Sequence, residues 1–175
     1  ANEADLGALA EFRRGAGVGA TQLVYVNSEV GIGCGIIQDG QPMLGAAGYA
    51  GEAGHALINP GGRECRCGSR GCWETEAGEA ALAERAGLCH LVGQPLLEEL
   101  IHRVESRDRR TIEALADTGR WLGYGIGNLI NVFNPELIVV GGLYQQLFPY
   151  LHESLEAAAR SVILAAPGGG VRIVA

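Results

Sequence analysis

One histidine and three cysteines fall within a short stretch of the chain, and they constrain its local fold more than any other feature. The stretch covers residues 51–74 and reads GEAGHALINPGGRECRCGSRGCWE. Cys65 and Cys67 alternate, Cys72 returns five residues later through two glycines, and His55 lies ten residues upstream across a turn-rich segment. Three thiolates and an imidazole suit a tetrahedral zinc ion at about 2.0 to 2.3 Å, in a closed and structural site.

A disulfide from Cys72 to Cys65 or Cys67, with the histidine in an unrelated loop, is the alternative for these residues. The chain has five cysteines, an odd number, in a domain large enough to fold without disulfide staples. A reducing compartment therefore favours zinc over a disulfide. The other two, Cys34 and Cys89, are predicted to be buried apolar thiols.

Size and charge limit the classes of protein to which the chain can belong. With 175 residues, of which 47% are hydrophobic, residues 1–175 fit a single domain with its own core. The net charge of −7 argues against contact with a phosphate backbone, because nucleic-acid binders concentrate basic residues. Contact with DNA would therefore need another segment. No apolar run reaches the roughly eighteen residues of a bilayer span and the start does not resemble a signal segment, so we expect a cytoplasmic protein without membrane contact.

The pattern of apolar residues predicts an α/β chain. Helices are predicted at residues 2–13, 76–86, 95–104, 111–133 and 145–162, with Asn2 as the first N-cap and Gly93 between the second and third. Strands are predicted at 21–27, 36–37, 137–140 and 171–174, and the apolar run at 137–140 indicates a fully buried strand. A helix, a buried strand, a glycine pair and another helix make an α/β unit.

Glycines mark two further places in the sequence. Gly31, Gly33 and Gly35 precede the second strand and predict the bend of a hairpin. The long helix at 111–133 contains four interior glycines, each costing about 1 kcal/mol relative to alanine. Close packing or a nearby ligand must compensate for that cost.

Two glutamates border the predicted metal loop, which spans about residues 52–75. Glu52 and His55 are three residues apart, so they share a face on a helical turn. If one ring nitrogen of His55 binds zinc, the other is a fixed donor for a carboxylate or a ligand hydroxyl. Zinc would then direct Glu52, His55 and Glu74 toward one place. The alternative is that each glutamate is a solvated surface charge.

These residues resemble the ROK family, which comprises bacterial sugar kinases and related sugar-responsive transcriptional repressors on an actin-like, ribonuclease H-like fold. The resemblance covers nearly the whole chain. Its most specific segments lie between residues 31 and 74, and are GIGCG, GEAGH, the spaced CRC and the GCWE ending. NVFNPELIVVGG at 131–142 and NEADLGALAE at the start support it.

The resemblance implies roles for particular residues. It implies structural zinc on His55, Cys65, Cys67 and Cys72. It implies that sugar hydroxyls are bound by Asn2, Glu52, His55 and Glu74, since carboxylates and amides pair with several hydroxyls at once. In family kinases the matching glycines lie near the nucleotide, and here they are Gly31, Gly33, Gly35, Gly141 and Gly142. The alternative is that these glycines only serve turns and packing.

The sequence departs from the family kinases at two places. The kinases have an aspartate as general base directly after the asparagine matching Asn2, whereas this chain has Glu3. The extra methylene displaces the carboxylate by roughly 1 Å, which can cost about a hundredfold in rate. Glu29 and Val30 replace a Gly-Thr pair that meets phosphate, so ATP binding is disfavoured. The family's first phosphate loop and any helix-turn-helix are also missing.

We therefore predict the C-terminal portion of a ROK-type transcriptional regulator, an effector domain that binds a small sugar or sugar phosphate. It is expected to form a homodimer and to contact DNA only through a domain upstream of Ala1, with sugar binding shifting the population of dimer arrangements. One alternative is an ATP-dependent sugar kinase, with ATP and Mg²⁺ as cofactors and Glu3 as base. Another is a zinc-stabilised oligomerisation scaffold.

Overall fold

The helices and strands of the chain were assigned from a computed structural model that describes residues 3–164 and 170–175. In chain order the elements are α1 (Glu3–Arg14), β1 (Leu23–Ser28), β2 (Ile32–Gln38), β3 (Gln41–Pro42), a 3₁₀ turn (Ala53–His55), α2 (Trp73–Ala77), α3 (Glu79–Ala86), α4 (Gly93–Glu105), α5 (Arg109–Phe133), β4 (Leu137–Gly142), α6 (Leu143–Val162) and β5 (Arg172–Val174). This order confirms the predicted α/β class.

The strands form one mixed sheet in the order β3-β2-β1-β4-β5. The central strand β1 pairs antiparallel with β2 and parallel with β4, so Leu23 lies between Ile37 and Leu137. A tight turn at Asp39 and Gly40, both at positive φ, connects β2 to β3 as the sequence predicts. The parallel pairing of β1 and β4 requires a long crossover, which the metal loop and helices α2 to α5 provide.

Helices cover both faces of this sheet. Residues of β4 alternate, with Leu137 and Val139 packed in the cluster beneath α1 and Ile138 and Val140 packed against the larger helical layer. All four are nearly inaccessible to solvent, which confirms the predicted buried strand. Ser28 joins the layers, because its hydroxyl donates to the Gly141 carbonyl at 2.7 Å and accepts from a backbone N–H at the start of α6 at 3.2 Å.

Close packing explains the glycines of α5. Gly119, Gly123 and Gly127 recur every four residues and lie against α6. A Cβ at Gly123 would lie 2.7 Å from the Cβ of Ala158, well inside contact distance. Gly125 lies against the ring of Trp73. The predicted compensation by close packing is therefore confirmed.

Three details of the predicted elements are wrong. Gly33 and Gly35 lie within β2 rather than in a hairpin bend, because α1 crosses the strand so closely that a side chain at Gly35 would strike the Ala4 carbonyl. Gly93 begins α4 instead of separating two helices, and its N–H donates to a Glu79 carboxylate oxygen at 2.9 Å. Cys89 is exposed, because it lies in the connection between α3 and α4.

In addition, the single helix predicted at 76–86 is two helices, α2 and α3, which are separated at Gly78. Strand β2 begins four residues before its predicted start, and the remaining boundaries differ from the predicted ones by at most two residues, as is common at element ends. Asn2, the predicted N-cap of α1, lies outside the described residues. Within the described ranges, none of the helices combines the length and the apolar character that crossing a bilayer requires.

Candidate metal centre and adjoining cavity

Backbone hydrogen bonds bring the three cysteines of the metal loop together. The N–H of Cys65 donates to the Ser69 carbonyl at 2.8 Å, which closes a tight turn around Cys67. An isolated antiparallel bridge places Cys72 opposite Leu57, close to the 3₁₀ turn that carries the histidine. Residues distant in sequence are therefore gathered by turns and short bridges rather than by regular secondary structure.

Helices α2 and α5 anchor the loop from behind. Trp73, the first residue of α2, is 1% exposed, and its indole N–H donates to the Trp121 carbonyl of α5 at 2.9 Å. The amide of Asn59, in the loop, donates to Glu76 in α2 at 2.9 Å. These contacts fix where the loop enters and leaves the body of the protein.

The side chains of His55, Cys65, Cys67 and Cys72 meet in one cluster. Their potential ligand atoms all lie within 4.8 Å of one another. The Cys65 sulfur lies 3.6 Å from the Nδ1 atom of His55, and the sulfurs of Cys67 and Cys72 are also 3.6 Å apart. Tetrahedral zinc with bonds of about 2.0 to 2.3 Å would separate its ligands by roughly 3.5 to 3.8 Å. The donor set and spacing therefore fit a metal ion.

The thiols respond differently to their surroundings. Burial raises the pKa of Cys65 to about 12, and this thiol donates to the Oε1 atom of Glu74 at 3.2 Å. Burial also raises the pKa of Cys72, whereas a hydrogen bond from the backbone N–H of Ser69 lowers the pKa of Cys67. Metal binding requires three thiolates, so an ion that binds here would release protons.

An open cavity of about 250 Å³ adjoins the cluster. The start of α1, the end of β1, the β1–β2 turn, the 3₁₀ turn and the metal loop form its walls. Its lining residues are Glu3, Ala4, Asn27, Glu29, Val30, Gly31, Ile32, Gly33, Glu52, His55, Arg66 and Glu74. Its size is close to that of small-molecule sites, which begin at about 300 Å³.

His55 lies between the metal cluster and this cavity. Its Nδ1 atom is 3.6 Å from Cys65 and also 3.6 Å from Glu74 Oε1, whereas its Nε2 atom is 4.0 Å from Glu52 Oε2. The predicted arrangement of Glu52 and His55 on one helical turn is therefore found at the 3₁₀ turn. The carboxylate of Glu74, 10% exposed, approaches the same histidine from α2.

The structure gathers the predicted sugar-site residues Glu52, His55 and Glu74 around one cavity, and Glu3 also lines it. Asn2 lies outside the described residues. The cavity also includes residues that the sequence did not single out for this site, notably Asn27 and Arg66.

Of the five glycines implied for a nucleotide site, two line the cavity, and Gly33 and Gly141 lie on either side of Asn27 in the sheet. Gly31 and Gly33 line the acidic cavity, whereas Gly35 lies beneath α1. Gly141 is covered by the Tyr25 ring, and Gly142 caps α6 at a φ of 68°. Packing and turn geometry account for the last three positions. A nucleotide role for all five remains a prediction.

The fold and the site define a mixed α/β protein with a histidine and cysteine cluster beside an acidic cavity. The sequence model of the ROK family matches residues 1–175. The chain therefore belongs to the ROK family, and the predicted family and actin-like fold are confirmed.

Relatives of two kinds resemble the chain. The xylose repressor of Bacillus subtilis is 31% identical over 99% of this chain and 44% of its own length. A ROK family transcriptional regulator, a homologue of the Escherichia coli MLC protein, has a crystal structure with a TM-score of 0.84 and 32% identity, over 94% of this chain and 44% of that one. The crystal structure of a ROK family glucokinase from Streptomyces griseus, in complex with glucose and AMPPNP, has a TM-score of 0.84 and 26% identity. The match covers 99% of this chain and 61% of the glucokinase chain.

The chain thus spans less than half of the repressor and of the regulator, and about three fifths of the glucokinase.

Proposed function

We propose that this chain is the sugar-binding portion of a ROK transcriptional regulator. One observation carries the proposal: Glu3, Glu52, His55 and Glu74 line a single cavity directly beside the Cys₃His cluster. The match to repressors over almost the whole chain supports a regulator.

Carboxylates and an imidazole are suited to sugar hydroxyls. Each carboxylate of Glu52 and Glu74 accepts hydrogen bonds from two neighbouring hydroxyls, and the Nε2 atom of His55 donates to a third. Arg66 lies 3.5 Å from Glu74 and restricts its orientation. Because these groups come from separate segments, their spacing selects both the positions and the configuration of the hydroxyls.

Zn²⁺ would be bound by His55, Cys65, Cys67 and Cys72 and would supply a rigid link between the 3₁₀ turn and the cysteine turn. The groups that contact sugar remain residues of the chain. His55 and Glu52 belong to or border the 3₁₀ turn, and Glu74 follows Cys72 by two residues. Loss of the link would therefore misplace all three.

Regulation would follow from a population shift. A sugar bound in the cavity favours one arrangement of the lobes or of a homodimer, and this changes the distance between DNA-reading elements outside this chain. The net charge of −7 agrees with DNA contact elsewhere.

A titration of the full-length protein tests this function. DNA fragments that the protein selects from its own genome would be bound with and without D-xylose, D-glucose or N-acetyl-D-glucosamine. At least one sugar is expected to change the DNA affinity by about fivefold or more. DNA affinity that is indifferent to a broad set of pentoses and hexoses would contradict the sensing role.

A second candidate function is an ATP-dependent sugar kinase. The match to the glucokinase that binds glucose and AMPPNP favours it, and Glu3 would then act as the base. Against it stand the longer side chain of Glu3 and the carboxylate of Glu29 at the same cavity. Incubation of the full-length protein with ATP, Mg²⁺ and hexoses, followed by measurement of ADP, separates the two functions, because the regulator produces no sugar-dependent ADP.

A further inference from the structure

The cavity carries a strongly unbalanced charge. Among its described lining residues, Glu3, Glu29, Glu52 and Glu74 bring four carboxylates, and Arg66 brings the one guanidinium. A cluster of three thiolates, one imidazole and a divalent ion would add a further net negative charge. A neutral hydroxyl tolerates this negative charge, whereas an anionic group in the cavity would be repelled by it.

Arg66 does not offset this excess. Its Nε atom lies 3.5 Å from Glu74 Oε1, and its side chain is 70% exposed. The guanidinium therefore already pairs with a carboxylate of the cavity, and water screens its remaining field. The other three carboxylates have no arginine partner among the described residues of the site, and the nearest contact among them joins Glu52 to the imidazole of His55 at 4.0 Å.

Glu29 differs from the other three acids in its position. It lies in the turn between β1 and β2, at the mouth of the cavity, and is exposed. Glu52 and Glu74 flank the metal loop and approach His55, where hydroxyl contacts are expected. Among the described residues, Glu29 makes no hydrogen bond or ion pair with a side chain of the cavity, so its main effect on a ligand is electrostatic.

We propose that the ligand of this cavity is an unphosphorylated sugar and that Glu29 discriminates against the phosphorylated form of the same sugar. The inference rests on the proposed sugar-binding function and names its ligand class. A sugar phosphate carries a charge of about −1.5 to −2 at neutral pH. A hexose is smaller than the Debye length of about 8 to 10 Å, so salt does not fully screen a phosphate on a bound sugar from the carboxylates that line the cavity.

The test uses calorimetric titration of the full-length, metal-loaded protein with matched pairs. Suitable pairs are D-glucose with D-glucose 6-phosphate, and N-acetyl-D-glucosamine with its 6-phosphate, accompanied by unphosphorylated pentoses and hexoses and their phosphates. The parent sugar is expected to bind at least about tenfold more tightly than its phosphate in low salt. The difference is expected to narrow as the salt concentration rises.

Glu29→Gln tests the named residue. The ratio of the dissociation constant of the sugar phosphate to that of the parent sugar is expected to fall by about threefold, because one of the four carboxylate charges of the cavity has been removed. Glu153→Gln is the matched control, since it makes the same change of net charge at an exposed position of α6 outside the cavity. In Glu153→Gln, the ratio of the dissociation constants for the sugar phosphate and the parent sugar is expected to equal that of the unsubstituted protein.

The outcomes separate the two proposals. A phosphorylated sugar that binds as tightly as its parent, or more tightly, overturns the ligand class while sugar binding stands. An equal ratio in Glu29→Gln and Glu153→Gln overturns the role of Glu29. If no sugar of either kind binds, the proposed function falls and this inference falls with it.

Discussion

The metal-loop region, residues 51–74, and the α5–α6 layer obtain their order in different ways. In the α5–α6 layer, glycines on one helix admit the backbone of the other, and long apolar side chains such as Leu122 and Leu155 are fully buried. In the metal-loop region, turns, two isolated bridges and a three-residue 3₁₀ turn replace regular elements. Packing stabilises the α5–α6 layer, whereas the metal-loop region contains a cluster of side chains that could hold a metal ion.

Removal of a buried metal ligand is expected to have the largest effect. Cys72→Ser replaces a completely buried sulfur of the cluster, and it should reduce metal affinity by more than about a hundredfold and the Tm by roughly 10 °C. Metal analysis and thermal unfolding measure the two effects. Cys89→Ser replaces an exposed cysteine outside the cluster and should leave the metal affinity and the Tm unchanged. Equal losses in the two variants would show that the cluster holds no ion.

In the α5–α6 layer, replacing a helical glycine with alanine is expected to lower the free energy of unfolding, although alanine is the better helix former. Gly123→Ala raises intrinsic helix propensity by about 1 kcal/mol, yet the added methyl group would meet Ala158 at 2.7 Å. Overpacking should win, with a net loss of about 2 kcal/mol in the free energy of unfolding.

Chemical denaturation checks this value. Asn128→Ala on an exposed position of the same helix should change stability by no more than about 0.5 kcal/mol. A stabilising Gly123→Ala would mean that α5 and α6 are farther apart than described.

The acidic cavity predicts a loss of ligand binding without a loss of fold. Glu74→Gln keeps the shape of the side chain but removes the charge that faces His55 and Arg66. Sugar affinity should fall by about tenfold, as expected for hydrogen bonds to a charged group.

Glu64→Gln is the matched control, because Glu64 lies in the same loop, pairs with Arg70 and does not line the cavity. Calorimetric titration of the full-length Glu74→Gln and Glu64→Gln variants with the same sugar compares their affinities. Similar affinities in both variants would remove Glu74 from the ligand site.

The smallest expected effect concerns the start of α5. Asp108 accepts hydrogen bonds from the N–H and the hydroxyl of Thr111, at 2.9 and 2.7 Å, and they hold the pKa of Asp108 below its usual value of 3.8. A depressed pKa gives stability that is complete above about pH 4 and is lost as the pH falls through the folded-state value.

Asp108→Ala should lower the Tm by roughly 2–4 °C at pH 7, and this difference should shrink below about pH 4. Asp108→Asn keeps a capping side chain that does not titrate. At every pH its Tm should therefore lie closer to that of the parent than the Tm of Asp108→Ala does. Thermal scans from pH 2 to 7 check this. A pH-independent difference for Asp108→Ala would rule out the ionised cap.

The sequence predicted much of the site because its chemistry depends on residue types at short spacing. The cysteines and His55 had to converge for any metal to bind, and Glu52 had to share the face of His55 on a helical turn. Arg66 and Asn27 were missed because their place in the cavity depends on which segments lie side by side, and spacing along the chain does not show this.

The fold was predictable where periodicity was strong, as in α5 and β4. It was not predictable where tertiary packing decided the conformation. Gly35 suggested a bend, but the approach of α1 requires a glycine within a strand there. Cys89 suggested burial by residue type, but it lies in a connection between helices that faces solvent.

The central claim is that His55, Cys65, Cys67 and Cys72 bind one metal ion and thereby order the wall of the cavity. Elemental analysis with X-ray absorption of the full-length protein, purified under reducing conditions, tests it most directly. We predict one zinc ion per chain with three sulfur ligands at about 2.3 Å and one nitrogen at about 2.0 Å. A folded protein with no stoichiometric metal would contradict the claim.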